Sequence, residues 1–238
     1  MGATTDFENM VCAFMNRDAT LFGVGTAADK MLAAVNMARQ WAQRMHKFEQ
    51  FKVMAELVVN QTTGGSLDAC KLYGTATAVE ARAVLRAYLQ AVDGSGLYPI
   101  SIITRDEQAR CIAAMIENVA AEDITSVNTG YNKPKLVQNG TLVYCWPWST
   151  SILPTSTTTV VMDIVKWLPD LDGTEVAKDI FIKYCYDWLL YRTAFHANFF
   201  LKEDQRVVIN ARVIEDAWDS VKEWDKDYVE GTAPVTLD

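Results

Sequence analysis

The sequence predicts an α+β protein: a helical body, made of N-terminal helices together with a C-terminal α-hairpin, and a central antiparallel β region. Three observations predict it. Apolar residues recur every three or four positions before residue 50 and again after residue 174. Between them the grammar changes to short β-branched and aromatic runs, and an Asn139-Gly140 pair separates two of these runs as in a hairpin. The 238 residues read as one unit, helical over 1–50 and 174–229, mixed and β-rich over 51–170, with an extended C-terminal arm at 230–238. A chain of that length buries a sizeable core without disulfides or metals.

Taken in order, residues 6–15 make a short helix, and glycines at 23 and 25 turn the chain into a stronger one. Thr26 with Asp29 resembles a capping box, after which Met31, Val35, Ala38, Ala42 and Met45 keep helical spacing. The run FKVMAELVV at 51–59 reads as a strand that Gly64 and Gly65 end. Residues 78–92 read as helix through Val79, Arg82, Leu85, Arg86 and Leu89, stopped by Asp93-Gly94-Ser95-Gly96. A strand from Tyr98 to Ile103 follows, then a helix over 105–118 opened by a capping box of Thr104 and Glu107. Lys135 to Trp146 reads as a hairpin around Asn139-Gly140 in a type I′ turn, and a further strand, Thr158 to Trp167, follows a Ser/Thr/Pro-rich loop.

The terminal hairpin carries the most information. Ala177, Phe181, Tyr184, Trp188, Tyr191, Phe195 and Phe199 step at helical spacing. Ile180, Ile182, Cys185, Tyr186, Leu189, Leu190 and Phe200 fill the rest of that helix, so over 176–201 it is apolar nearly all round and must be covered on almost every side, by its own fold or by a neighbouring subunit. The second helix, with Val207, Ala211, Ile214, Trp218, Val221 and Tyr228, is amphipathic and turns a charged face outward.

Composition excludes several functions. Half the residues are hydrophobic, which rules out a wholly disordered chain. The net charge of −8 disfavours wrapping of phosphate backbones, which needs clustered Lys and Arg. Five scattered cysteines, Cys12, Cys70, Cys111, Cys145 and Cys185, read as reduced thiols. No secretory signal and no apolar stretch of membrane-spanning length is expected. Asn60-Gln61-Thr62 and Asn139-Gly140-Thr141 then count as chance glycosylation matches.

Catalysis finds little material. His46 and His196 are the two histidines, and Cys185 and His196 stand about 16 Å apart along one helix, too far for a dyad. His196 reads as a core or interface histidine and His46 as a partner for its helix's C-terminal dipole. Neither Gly23-Val24-Gly25 nor Gly64-Gly65 completes a nucleotide motif, and no zinc or EF-hand spacing occurs, so no cofactor or metal is expected. Trp146-Pro147-Trp148 reads as a packed strand end or a recognition patch.

The stretch Asp187-Trp188-Leu189-Leu190-Tyr191, followed by Ala197-Asn198-Phe199-Phe200-Leu201-Lys202-Glu203-Asp204-Gln205-Arg206 and then by Glu215 and Trp218, resembles the C-terminal helical hairpin of head-to-tail adaptor (connector, neck) proteins of tailed bacteriophages. The specific phrase covers about twenty residues, and residues 60–130 match nothing in that pattern. The resemblance implies a structural virion protein, not an enzyme. It would form a ring, twelve subunits in that family, between capsid portal and tail, assembled in the host cytoplasm, and let the DNA genome pass through its lumen without specific binding. Its partners would be copies of itself, portal protein and tail or nozzle proteins. Twelve chains would carry roughly −100, an acidic tube to which DNA does not adhere. Candidate interface residues are Trp188, Tyr191, Phe195, Phe199, Phe200, Lys202, Glu203, Asp204, Arg206 and Trp218. The alternatives are another neck component, such as a head-closure or tail-terminator protein, a cysteine-dependent hydrolase, and a DNA-binding module.

Overall fold

The computed structural model describes residues 2–90, 96–118, 134–146, 156–175, 179–201 and 211–230. In chain order the helices are α1 (Ala3–Phe14), α2 (Lys30–Met45), α3 (Arg105–Asn118), α4 (Ile180–Tyr184), α5 (Tyr186–Ala197) and α6 (Ala211–Glu230). The strands are β1 (Lys52–Asn60), β2 (Gly65–Ser66), β3 (Lys71–Leu72), β4 (Ala81–Gln90), β5 (Leu97–Ile100), β6 (Ile102–Thr104), β7 (Lys135–Asn139), β8 (Leu142–Trp146) and β9 (Thr157–Lys166). The fold is α+β. The single unit expected from the sequence resolves into two compact units, Met1–Gln50 with Leu168–Asp238, and Phe51–Trp167.

In the helical unit, α2 buries Met31, Ala34, Val35, Ala38, Arg39, Ala42 and Gln43, a stripe set by its period of three and four. Its cap differs from the expected one. Asp29 accepts from the Leu32 amide at 2.9 Å, while the Thr26 hydroxyl donates to the Gly23 carbonyl in the preceding turn. α1 presses Phe7, Val11 and Cys12 inward. Against α2 lie α5 and α6, joined by an aromatic cluster in which Trp41, Trp188 and Trp218 have ring centroids 5.0–5.9 Å apart.

The expected continuous helix over 176–201 is divided. α4 ends at Cys185, whose φ of −123° and ψ of 32° leave the helical region, and α5 starts at the next residue. The break lets Phe181 pack on Phe48 at 5.4 Å while Tyr184 stacks on Trp224 at 5.1 Å.

In the β-rich unit one sheet has the order β3-β1-β9-β4-β5 and the other β2-β8-β7-β6. All pairs are antiparallel except β6 with β7, which α3 separates in sequence as a crossover needs. One apolar cluster serves both sheets, with Ala55, Leu57, Val59, Val160, Met162 and Ile164 from the first and Leu136, Val143 and Cys145 from the second. The first and last strands, β1 and β9, pair along their whole length from Lys52↔Val165 to Asn60↔Thr157, so the chain enters and leaves this unit side by side.

The helix expected over 78–92 is instead the strand β4. Its alanines, leucines and arginines favour a helix locally by a few tenths of a kcal/mol each. Pairing with β9 on one side and β5 on the other outweighs that preference, and the inward side chains Ala87 and Leu89 follow the two-residue period. The expected strand at 98–103 is cut at Ser101, where the chain leaves one sheet and joins the other. The hairpin forms, but Asn139 stays paired with Leu142 and the two-residue loop is Gly140-Thr141, with positive φ at Gly140 alone. The capping box is as read: the Thr104 amide donates to Glu107 at 2.7 Å and the Glu107 amide to the Thr104 hydroxyl at 3.2 Å. Gly64 is required at its turn, since φ is +72° and a Cβ there would stand 2.6 Å from the Val143 carbonyl oxygen.

Candidate functional site

The helical unit shows an apolar seam where α1 meets α5. On α1, Phe7 and Val11 point inward, which places Met10 and Phe14, four residues apart, on the outer side at 53% and 47% exposure. The Phe14 ring lies 5.7 Å from that of Tyr191 on α5, and Phe195, one turn further along α5, is 37% exposed. Between them Arg192 lays its guanidinium over Trp41 at 4.2 Å and over Phe195 at 5.1 Å, and burial holds it below its ordinary pKa. Tyr191 also borders a groove of about 450 Å³ between α4, α5 and α6, lined by Tyr184, Tyr186, Val213, Ala217 and Val221 among others.

The expected interface residues divide accordingly. Tyr191 and Phe195 lie on the seam, and Phe200 is 37% exposed on the short turn after α5. Trp188 is corrected: at 1% exposure it belongs to the core and offers nothing to a partner. Trp218 is half-buried, against Trp41, Trp188 and the His46 ring. Lys202, Glu203, Asp204, Arg206 and the Phe199 side chain lie outside the described residues, as do Pro147, Trp148 and residues 231–238 of the expected arm, whose first residue, Glu230, instead ends α6.

A buried ion pair and a buried aspartate hydrogen-bond cluster, both missed by sequence reasoning, position this surface. Arg39, 2% exposed, donates to both carboxylate oxygens of Asp179 at 2.9 and 3.2 Å and also to the Pro169 carbonyl at 3.0 Å. Asp179 in turn caps α4 by accepting from the Phe181 amide, so one guanidinium fixes where the aromatic helices begin. Asp225 of α6 accepts from the Glu49 amide at 3.0 Å and lies 2.8 Å from His46 Nε2. His46 therefore reaches a carboxylate on another helix, where a helix-dipole partner was expected. The signal was present: Arg39 and Asp225 occupy core positions of the periods Val35-Ala38-Ala42 and Trp218-Val221, where a charge demands a partner.

Four of the five thiols are poorly suited to nucleophilic chemistry. Burial pushes Cys12 and Cys70 up to about 11, and Cys145 and Cys185 up to about 12, so at neutral pH they keep their protons. His196, 8% exposed, is held down to about 4 by burial and by Arg192, which makes it neutral. Among the described residues no group of His, Cys, Asp and Glu is placed to hold a metal ion, and no helix is long and apolar enough to cross a membrane.

What the fold defines is an α+β protein whose helical unit carries an inserted two-sheet unit and displays an aromatic seam. No family model matches the chain, and no curated protein matches it.

Proposed function

We propose that the chain is a structural virion protein of the bacteriophage neck, a subunit of a ring that joins the capsid portal to the tail and lets the DNA genome through its lumen. The observation that carries this reading is the seam of Met10, Phe14, Tyr191 and Phe195, partly exposed apolar surface beside the aromatic cluster of Trp41, Trp188 and Phe181. Large aromatic side chains on a surface gain most by packing on a second protein, and in a ring each copy covers its neighbour. The sequence phrase at 187–206, which resembles that of adaptor proteins, begins on the same helix α5. The net charge of −8 fits a lumen that DNA slides past without adhering. Cys12, Cys70, Cys145 and Cys185, which retain their protons, speak against a cysteine hydrolase built on any of those four.

The test is assembly. Purified chain mixed with purified portal rings at high concentration is expected to co-sediment as a larger ring complex, countable by imaging down its axis. If the two sediment separately under all salt conditions, the reading is wrong.

A further inference from the structure

Glu8 is a carboxylate where none should rest. It sits mid-helix on α1 at 1% exposure, its Oε1 is enclosed without a hydrogen-bond partner, and no cation pairs with it among the described residues. Two further carboxylates press on it from the elements that hold α1. Asp29 comes from the N-terminus of α2, and Glu175 from the turn that grips α1, where the Glu175 carbonyl accepts from the Ala3 amide at 3.0 Å and the Thr4 hydroxyl donates to Glu175 Oε2 at 3.0 Å. Tyr186 faces α1 from α5 through Phe7, at 5.5 Å, and Asp18 from the turn after α1 acts on Cys12.

The three carboxylates are not equivalent. Asp29 accepts from the Gly25 and Leu32 amides, and Glu175 from the Asp172 and Gly173 amides besides the Thr4 hydroxyl. Among the described residues Glu8 has no such donor. Of the three, it is the one that must stay neutral for the helix to remain packed.

We propose that α1 is a releasable helix, seated on the helical unit while the Glu8 carboxyl holds its proton and freed as that proton leaves. Burial, then Asp29 and Glu175, raise Glu8 from 4.5 to about 8. The folded value is raised, so the seating free energy is fully present below 4.5, is lost as pH climbs towards 8, and levels off beyond. One proton gives about a tenfold loss in the seating equilibrium per pH unit across that window. Burial pushes the Cys12 thiol up to about 11 and raises the Tyr186 hydroxyl above its ordinary value, so both lie above that window. Release uncovers Phe7, Val11 and the Cys12 thiol, and breaks the contact of Phe14 with Tyr191 in the seam.

The experiment is hydrogen exchange on the full chain between pH 5.5 and 7.5, corrected for the intrinsic rate, comparing wild type with Glu8→Gln. Expected is about a hundredfold loss of protection over residues 3–14 in the wild type, little change in Glu8→Gln, and steady protection over 211–227 in both. Thiol labelling at Cys12 should be faster in the wild type than in the variant at pH 7.5. Equal pH slopes in the two proteins overturn the proposal, and so does joint loss of protection over 3–14 and 211–227, which would be global unfolding. Should the variant fail to fold, the wild type alone decides through the infrared carbonyl stretch of a neutral carboxyl group. That band, persisting at pH 7 and vanishing towards pH 9, supports the proposal, and its absence at pH 7 overturns it.

Discussion

The two units solve the problem of a closed interior in different ways. Among the described residues every buried polar or charged side chain, Thr4, Glu8, Arg39, Gln43, Thr193, His196 and Asp225, lies in the helical unit. The shared apolar cluster of the β-rich unit is built from alanine, valine, leucine, isoleucine, methionine and cysteine. A sheet satisfies its backbone through neighbouring strands and needs no side-chain anchors. The helices, drawn from segments more than a hundred residues apart, are held in register by polar contacts that bridge those segments, an ion pair of Arg39 with Asp179 and hydrogen bonds of Asp225 with His46 and the Glu49 amide. Stability in the first unit therefore rests on charge as well as packing, and in the second on packing.

The largest effect that sharpens this contrast is at Arg39. Arg39→Ala leaves the Asp179 carboxylate buried without its partner and is expected to cost about 3–5 kcal/mol, read as lost exchange protection over the helices while β1 and β9 keep theirs. Loss spread evenly over both units would break the contrast. Ile164→Val in the β-rich cluster is expected to cost about 0.5–1.5 kcal/mol by denaturant unfolding, with no dependence on pH between 5 and 8. Smaller still in energy is thiol labelling of the native protein at pH 7. Cys111, half-buried on α3, should react ahead of Cys70, Cys145 and Cys185, which are enclosed and protonated. Rapid reaction at Cys185 would show that the α4–α5 break is open.

How much of this was legible beforehand follows from what each signal depends on. α2, α3, β1, β7, β8 and β9 were readable because local periodicity, capping residues and turn glycines agree with the tertiary environment, as at Thr104 and Glu107. β4 was misread because its helix-favouring residues Ala81-Arg82-Ala83-Val84-Leu85-Arg86 are overruled by partners distant in sequence. The division at Cys185 was hidden because apolar residues all round a helix erase the face that would locate a bend. Of the candidate surface, Tyr191, Phe195 and Phe200 were legible as excess aromatic area, but Trp188 could not be sorted from them. Only the positions of Trp41 and Trp218 decide that it faces inward. Met10 and Phe14 were missed because nothing in α1 alone marks them as neighbours of α5.

The most direct measurement is sedimentation velocity of the chain with portal rings, comparing the wild type with the double variant Phe14→Asp and Phe195→Asp. Both positions are more than a third exposed, but Phe14 packs on Tyr191 and Phe195 lies under Arg192, so each substitution should cost about 1 kcal/mol, and folding of the variant is checked by its helical circular dichroism. If the seam carries assembly, the wild type runs as a ring complex and the folded variant stays behind as free subunits. A folded variant that joins the complex as fully as the wild type would contradict it.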